Sequence, residues 1–170
     1  DSFGLISVDE TVLVKIPSGV EEGMQLKISG KGNAAPGNGI DGDLIVLIEE
    51  LRHDSFVREN NHLHYDLYIS ISEAALGVSR ELDLLKGKVR IRLESGIQSG
   101  KTLRLRGKGL PDINGYGIGD LLVHINVWTP KVLNREQKQF FQKMLENENF
   151  IPKPKRSDKS FFEKVKDMFA

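Results

Sequence analysis

SGKGNAAPGNGIDGDLIVLI (Ser29–Ile48) returns 77 residues later as RGKGLPDINGYGIGDLLVHI (Arg106–Ile125). Each copy has Gly-Lys-Gly, a glycine-rich loop, then Gly-Asp-Leu and an alternating apolar run. When the alignment is extended without gaps to 12–48 and 89–125, 13 of the 37 positions are identical. A period of 77 residues is too long for a solenoid, so the repeat predicts two similar small domains in tandem.

Hydrophobic alternation predicts that the chain is mainly β. In each copy it predicts strand, turn, strand, loop and strand, with a further strand between the copies. The predicted strands are TVLVKI (11–16), QLKIS (25–29), DLIVLI (43–48), LHYDLYISI (63–71), KVRIRL (88–93), TLRLR (102–106) and DLLVHI (120–125). SRELDLL (79–85) should pair with KVRIRL as a hairpin around Lys86-Gly87-Lys88. We therefore expect two small β-sandwiches.

Helical patterns are short or confined to the C-terminal part. SEAALG (72–77) predicts one or two helical turns, with Ser72 as N-cap and Gly77 at the C-cap position. Asn134 and Gln137 form a capping-box pattern that opens a helix over 135–146. One side of that helix is apolar and carries Phe140, Phe141, Met144 and Leu145.

A second capping-box pattern runs from Ser160 to Glu163 and predicts a short helix near the end of the chain. Its apolar face carries Phe161, Phe162, Val165, Met168 and Phe169. Such a face needs a partner, and three remain open: the protein's own sandwich, a second copy of the chain, or a membrane surface.

Charge and composition exclude several classes of function. Lys and Arg together number 24, as do Asp and Glu, so a nucleic-acid binder with its basic excess is not indicated. The chain has no cysteine, which excludes disulfides and thiolate zinc sites and fits a cytoplasmic setting. No apolar run is long enough to span a membrane, and no signal-peptide pattern is present. We therefore expect no nucleic-acid or membrane partner.

Motifs that could carry chemistry have simpler explanations. Gly37-x-Gly39-x-x-Gly42 has dinucleotide-fingerprint spacing, but it precedes a predicted strand and no helix follows, so a turn is favoured. Asp43 and Asp120 are expected to cap a turn through an Asx bond. Asp112, Asn114 and Asp120 lack the spacing of a calcium loop, and His62 with His64 is a weak metal pair. Nothing indicates catalysis, and we expect no metal site.

Differences between the copies point to an interaction surface. Leu13, Met24 and Leu47 occupy the positions that Arg90, Lys101 and His124 hold in the second copy. The corresponding face is therefore apolar in the first copy and polar in the second. An uncovered apolar face is a candidate binding surface. The alternative is that another part of the first domain covers it.

Together these motifs resemble the C-terminal part of the DnaJ-type (J-domain) co-chaperones. The Ala-Ala-Leu-Gly turn, Lys-Gly-Lys, Arg-Gly-Lys-Gly-Leu-Pro and Gly-Asp-Leu-Leu-Val follow one another in the family's order, and the resemblance covers residues 11–146. It implies two tandem β-sandwich domains followed by a helical dimerisation segment. The domains would be a partial first sandwich at 1–60, a second at 61–132, and the dimerisation segment with its tail at 133–170.

The resemblance also implies a function in protein folding. Family members bind non-native, extended apolar polypeptides and deliver them to a DnaK-type chaperone, mainly through a J domain. The implied client-binding positions are Val12, Val14, Leu26 and Ile28, with Phe56 at a second groove, and the comparison of the copies adds Leu13. The implied dimer contacts of the homodimer are Phe140, Phe141, Met144 and Leu145.

The chain departs from the family pattern in two places. It has no His-Pro-Asp motif of a J domain and no Cys-x-x-Cys-x-Gly-x-Gly repeats of the zinc module. We therefore expect a fragment that lacks the opening strands of the first domain, and a chain without a cofactor. A dimerisation scaffold without a complete client groove remains the alternative, and an enzyme or sugar-binding sandwich is a weaker third hypothesis.

Overall fold

The computed structural model describes residues 8–37 and 39–154, and the helix predicted at 160–169 lies outside them. This part of the chain is mainly β, as predicted. Its strands are β1 (Gln25–Ile28), β2 (Leu44–Leu47), β3 (Phe56–Glu59), β4 (His62–Ser70), β5 (Val78–Asp83), β6 (Lys88–Leu93), β7 (Thr102–Leu105) and β8 (Leu121–Trp128). They form three sheets: β1-β2, β3-β4-β8-β7 and β5-β6.

The strand predicted at 11–16 is wrong, because none of these residues lies in a strand. Its repeat-equivalent, β6, pairs antiparallel with β5 from Val78↔Leu93 to Asp83↔Lys88, as the predicted hairpin requires. Alternation alone does not make a strand, since a strand also needs a neighbour for its backbone groups. Within the described residues, the segment 11–16 has no such neighbouring strand.

The first helix, α1 (Ile71–Leu76), begins two residues earlier than predicted. Its N-cap is Ser70 and not Ser72: the Glu73 N–H donates to Ser70 Oγ at 3.2 Å, and the Ser70 N–H donates to the Glu73 carboxylate at 2.9 Å. The predicted C-cap is confirmed. Gly77 has φ 81°, and a Cβ there would lie 2.9 Å from the Leu93 carbonyl oxygen, so only glycine fits without strain.

The second helix, α2 (Arg135–Leu145), confirms the predicted capping box. Asn134 Oδ1 accepts from the Gln137 N–H, and Gln137 Oε1 accepts from the Asn134 N–H, both at 2.9 Å. A short 3₁₀ helix at Glu148–Phe150, which the sequence did not indicate, follows it. No helix in the described ranges is long and apolar enough to cross a membrane.

The β3–β4 hairpin was not predicted. β3 pairs antiparallel with β4 from Phe56↔Tyr65 to Glu59↔His62. Asn60, in the connecting turn, has φ 54°, a left-handed conformation that asparagine tolerates better than most residues. This hairpin lies directly after the first copy of the repeat.

The chain divides into two compact units, formed by the described parts of 1–67 with 102–124 and of 68–101 with 125–170. The buried apolar side chains of the first unit are Phe56, Leu63, Leu67, Leu121 and Val123. Those of the second unit are Ile69, Ala74, Leu82, Ile91, Leu93, Ile97 and Ile125. The domain boundaries at residues 60 and 132 stay predictions.

Candidate functional site

The glycine-rich loops of the two copies share one hydrogen-bonded framework. The Gly32 N–H donates to the Gly42 carbonyl oxygen at 2.8 Å, and Gly109 makes the same 2.8 Å bond to Gly119. The return bonds, from Gly42 to Asn33 and from Gly119 to Leu110, are both 2.9 Å. Each loop thus closes on its own backbone, which supports the turn interpretation over a nucleotide site.

Asp43 and Asp120 hold these loops from equivalent positions. Asp43 Oδ1 accepts from the Gly30 N–H at 3.1 Å, and Asp43 Oδ2 pairs with Lys27 Nζ at 2.5 Å. In the second copy, Asp120 Oδ1 accepts from the Gly107 N–H at 2.7 Å, and Asp120 Oδ2 pairs with Arg104 Nε at 2.5 Å. The carboxylates do cap a turn, but across 13 residues, so the predicted local Asx bond is wrong.

These contacts favour the ionised form of both aspartates. The Lys27 side chain and then the Gly30 N–H lower the pKa of Asp43. For Asp120 the order is reversed: the Gly107 N–H comes first in lowering the pKa, followed by Arg104. Both groups therefore act as fixed negative charges of the scaffold at neutral pH.

The copies differ in how far their shared apolar positions are buried. Leu121 and Val123, on β8, are buried, with Leu121 only 1% exposed. Their equivalents on β2, Leu44 and Val46, are only half-buried. No apolar side chain in 8–37 or 39–55 is fully buried. The difference is confined to this strand pair, because β1 and β7 carry equally half-buried apolar residues. On β2 the first copy thus leaves accessible two positions that are buried on β8.

The half-buried residues of the first copy form one surface. β1 and β2 pair antiparallel with Leu26 opposite Val46 and Ile28 opposite Leu44. Directly opposed residues project to the same side of a sheet, so these four side chains form a contiguous patch, called here the β1–β2 face. Leu26 and Ile28 were predicted site residues. Leu44 and Val46 were missed, although alternation in DLIVLI could have indicated them.

The other predicted positions lie apart from this face. Leu47 is on the opposite side of the sheet, and Leu13 is 97% exposed in the segment before β1. Val12 and Val14 are half-buried in that same non-strand segment. Phe56 is 9% exposed, with its ring centroid 5.1 Å from that of His53 and 5.5 Å from that of Tyr65. Client contact at these residues stays a prediction.

Met24 was singled out with Leu13 and Leu47 in the comparison of the copies. It is half-buried just before β1, and its sulfur accepts from the Glu21 N–H at 3.3 Å. The side chain is therefore engaged with the turn that precedes β1 and belongs to the framework of the hairpin.

The histidines form hydrogen bonds with the protein rather than a metal cluster. His64 Nδ1 lies 2.9 Å from His124 Nε2, and the other nitrogen of His64 lies 2.9 Å from the Glu59 carboxylate. His62 Nδ1 accepts from the Asp120 N–H at 2.9 Å. Within the described residues, no group of three or more potential ligands could hold a metal ion.

The apolar side of α2 is partly open to solvent. Phe140 and Leu145 are exposed, Leu145 at 80%, whereas Phe141 and Met144 are half-buried. A groove of about 450 Å³ lies beside Phe141, Met144 and Leu145, and a second of about 530 Å³ lies beside Phe140 and Phe141. The helix thus presents unfilled apolar surface on both flanks.

Comparisons with known proteins agree with this architecture. A family model described as "DnaJ C terminal domain" matches residues 6–130. Proteins named "Chaperone protein DnaJ" are 49% identical over 166 residues in Bacteroides thetaiotaomicron, 39% over 169 in Salinibacter ruber and 43% over 159 in Streptococcus mutans. These alignments cover 98%, 98% and 93% of this chain, and 42%, 44% and 42% of the respective relatives. The chain belongs to the DnaJ C-terminal domain family.

Proposed function

We propose that this chain binds extended apolar segments of non-native polypeptides on the β1–β2 face. The observation that carries the proposal is the unequal burial of the repeat: Leu121 is 1% exposed, whereas its equivalent Leu44 is only half-buried. Where β8 buries its apolar side chains, β2 leaves the equivalent ones open, so this part of the face is available for a ligand. The name of the relatives, which includes the word chaperone, supports a polypeptide ligand.

The geometry favours binding by strand addition. β1 and β2 pair only with each other, so in the described chain their outer edges have no strand partner. An extended client could add its backbone to such an edge and place alternate side chains on the β1–β2 face. Burying a fully exposed Leu or Ile is worth about 1.5–3 kcal/mol. Two or three such contacts support an affinity on the order of micromolar after ordering costs.

We further propose that the chain works as part of a cytoplasmic DnaJ-type co-chaperone that delivers clients to a DnaK-type chaperone. The family membership of residues 6–130 supports this role. Client binding itself should need no metal or other cofactor, since the face consists of Leu26, Ile28, Leu44 and Val46. Peptide titrations with and without a chelator should therefore coincide.

The apolar side of α2 is the proposed homodimer contact. Phe140 and Leu145 are exposed there, beside the grooves that flank Phe141 and Met144. Burial of these side chains against a second copy would remove apolar surface from water. Sedimentation equilibrium of wild type and Phe140→Asp tests this contact: the variant should be monomeric at concentrations where the wild type is dimeric. Equal association of both proteins would contradict it.

The client face is tested by anisotropy titration of a labelled, extended, Leu-rich peptide. Ile28→Asp places a charge on the β1–β2 face, and Ile45→Asp places the same charge on the opposite side of the same hairpin. We expect saturable wild-type binding that Ile28→Asp weakens at least tenfold and Ile45→Asp leaves within about twofold, because an unpaired carboxylate in an apolar contact is costly. Absence of binding by the folded wild type would favour the dimerisation scaffold.

A further inference from the structure

Arg58, which sequence reasoning did not single out, reaches from β3 to the first copy of the repeat. Its side chain is 16% exposed. The guanidinium donates to three backbone carbonyl oxygens: Nε to Asn60 at 2.7 Å, Nη1 to Val20 at 2.7 Å and Nη2 to Gly19 at 3.3 Å. Two of these carbonyls belong to the turn that leads into β1. A planar fork with five N–H donors suits such a set of acceptors, and an ammonium group does not.

Two carboxylates complete the surroundings of this guanidinium. Glu50 Oε2 lies 3.1 Å from Nη1, and Glu21 Oε1 lies 3.6 Å from Nη2. Glu21 is in the turn before β1, and Glu50 follows β2, so Arg58 joins both ends of the β1–β2 hairpin to β3. A largely buried cation with this number of partners is well compensated. Without the guanidinium, both carboxylates would lose this cation partner.

The second copy of the repeat lacks the two carboxylates that contact Arg58 in the first copy. Gln98 and Val127 occupy the positions of Glu21 and Glu50, and neither carries a charge. The neighbouring bond is kept in both copies: the Glu22 carboxylate accepts from the Glu50 N–H, and Ser99 Oγ accepts from the Val127 N–H at 3.1 Å. The acid pair with its arginine is therefore a feature added to the copy that has the open apolar face.

We propose that Arg58 is a positioning residue for client binding. From β3 it holds the turn at 19–21 and Glu50, and it thereby keeps the β1–β2 face in its binding geometry. Its consequence for binding rests on the proposed function. The contacts of Arg58 with the turn at 19–21 and with Glu50, called here the clamp, can be measured without any client. Two backbone bonds next to the clamp report on it: the Gly23 N–H donates to the Ile48 carbonyl at 2.9 Å, and the Ile48 N–H donates to Met24 at 2.8 Å.

The test compares Arg58→Lys with the matched control Arg80→Lys, whose arginine pairs with Glu73 in a more exposed ion pair on β5. Lysine keeps the charge but loses the fork. Amide hydrogen exchange at Gly23 and Ile48 should rise about tenfold in Arg58→Lys through local opening. Exchange at Leu63, which is bonded to the Asp120 carbonyl in the same unit, should stay unchanged. Affinity for the Leu-rich peptide should fall about fivefold, because the binding-competent population falls.

The outcomes separate the two proposals. Unchanged exchange at Gly23 and Ile48 would overturn the clamp, because Arg58 would then have no local role. Equally faster exchange at Leu63 would also overturn it, because the variant would then only have lowered the stability of the whole unit. Faster local exchange with unchanged peptide affinity would overturn the link to binding. If the wild type binds no peptide, the proposed function fails, and the exchange data still decide whether Arg58 holds the hairpin.

Discussion

Leu44 and Leu121 are equivalent residues in the two copies. Replacement of Leu121 with alanine should mainly reduce stability, whereas replacement of Leu44 should mainly reduce peptide binding. Both lie in the same compact unit, so a single unfolding transition compares them. Leu121 is 1% exposed, and its truncation leaves a closed cavity. Leu44 is half-buried on the β1–β2 face, and its truncation leaves a space that is open to water.

The expected magnitudes follow from burial. Leu→Ala at a fully buried site costs about 3 kcal/mol or more, because lost transfer free energy and the cavity both contribute. With a urea slope of about 2 kcal/mol/M, Leu121→Ala should lower the unfolding midpoint by about 1.5 M. Leu44→Ala should lose only part of the transfer free energy, about 1 kcal/mol, and shift the midpoint by about 0.5 M.

Urea unfolding followed by circular dichroism measures the stability change, and anisotropy of the Leu-rich peptide measures binding. Leu44→Ala should weaken the peptide affinity about fivefold or more, whereas Leu121→Ala should leave the affinity of the folded protein unchanged. Equal loss of stability in the two variants would show that the first copy is as well covered as the second. Equal loss of affinity would show that the β1–β2 face is not where the peptide binds.

Three further predictions concern the scaffold. The pKa of Asp120 is lowered in the folded state, so its charge contributes stability at pH values above the ordinary pKa near 3.8, and this contribution is lost as pH falls through the folded-state pKa. The difference in urea midpoint between wild type and Asp120→Asn should therefore be constant near neutrality and shrink in acid. A difference that grows in acid would contradict the assignment. Asn134→Ala should lose the cap of α2 at a cost of about 1 kcal/mol, seen as faster amide exchange at Gln137, while Asn134→Ser should restore most of the protection. Gly77→Ala combines positive φ with a close approach to the Leu93 carbonyl, so it should destabilise the protein by about 2 kcal/mol or more. Gly87→Ala has positive φ in open space, so in thermal unfolding it should cost only about 1 kcal/mol. Similar shifts in melting temperature for the two variants would argue against the close approach.

Elements whose partners are near in sequence were predictable. The β5–β6 hairpin closes over a Lys-Gly-Lys turn, and the Leu84 N–H donates to the Gly87 carbonyl at 2.9 Å across it. The α2 capping box spans three residues and was read directly from Asn134 and Gln137. In both cases the residues that specify the element also contact one another, so local pattern and structure agree.

Elements whose partners are distant were not predictable in the same way. The strand expected at 11–16 has the alternation of β6 but no neighbouring strand in the described chain, and pairing cannot be read from one segment. The start of α1 was misplaced by two residues because Ser70 and Ser72 are both acceptable N-caps. β3 was missed because four residues, FVRE, give too short an alternating pattern to indicate a strand.

The candidate site shows the same limit. Leu26 and Ile28 were predicted from the resemblance to the DnaJ-type family, and their neighbours Leu44 and Val46 follow from the register of β1 with β2. Arg58 could not be found, because its acceptors Gly19 and Val20 lie 39 and 38 residues away along the chain. The sequence did show that the two copies differ at Leu13, Met24 and Leu47, but these residues lie apart from the β1–β2 face. The unequal burial of Leu44 and Leu121 could not be read from the sequence, because the residue is the same in both copies.

Amide hydrogen exchange of the wild type, with and without saturating Leu-rich peptide, tests the central claim most directly. The two copies serve as internal controls for each other, since β1 and β2 correspond to β7 and β8. We expect the peptide to slow exchange at residues 25–28 and 44–47 and to leave 102–105 and 121–124 unchanged. Slower exchange confined to the second copy or to α2, with none in β1 or β2, would contradict the assignment of the open first-copy sheet as the client-binding surface.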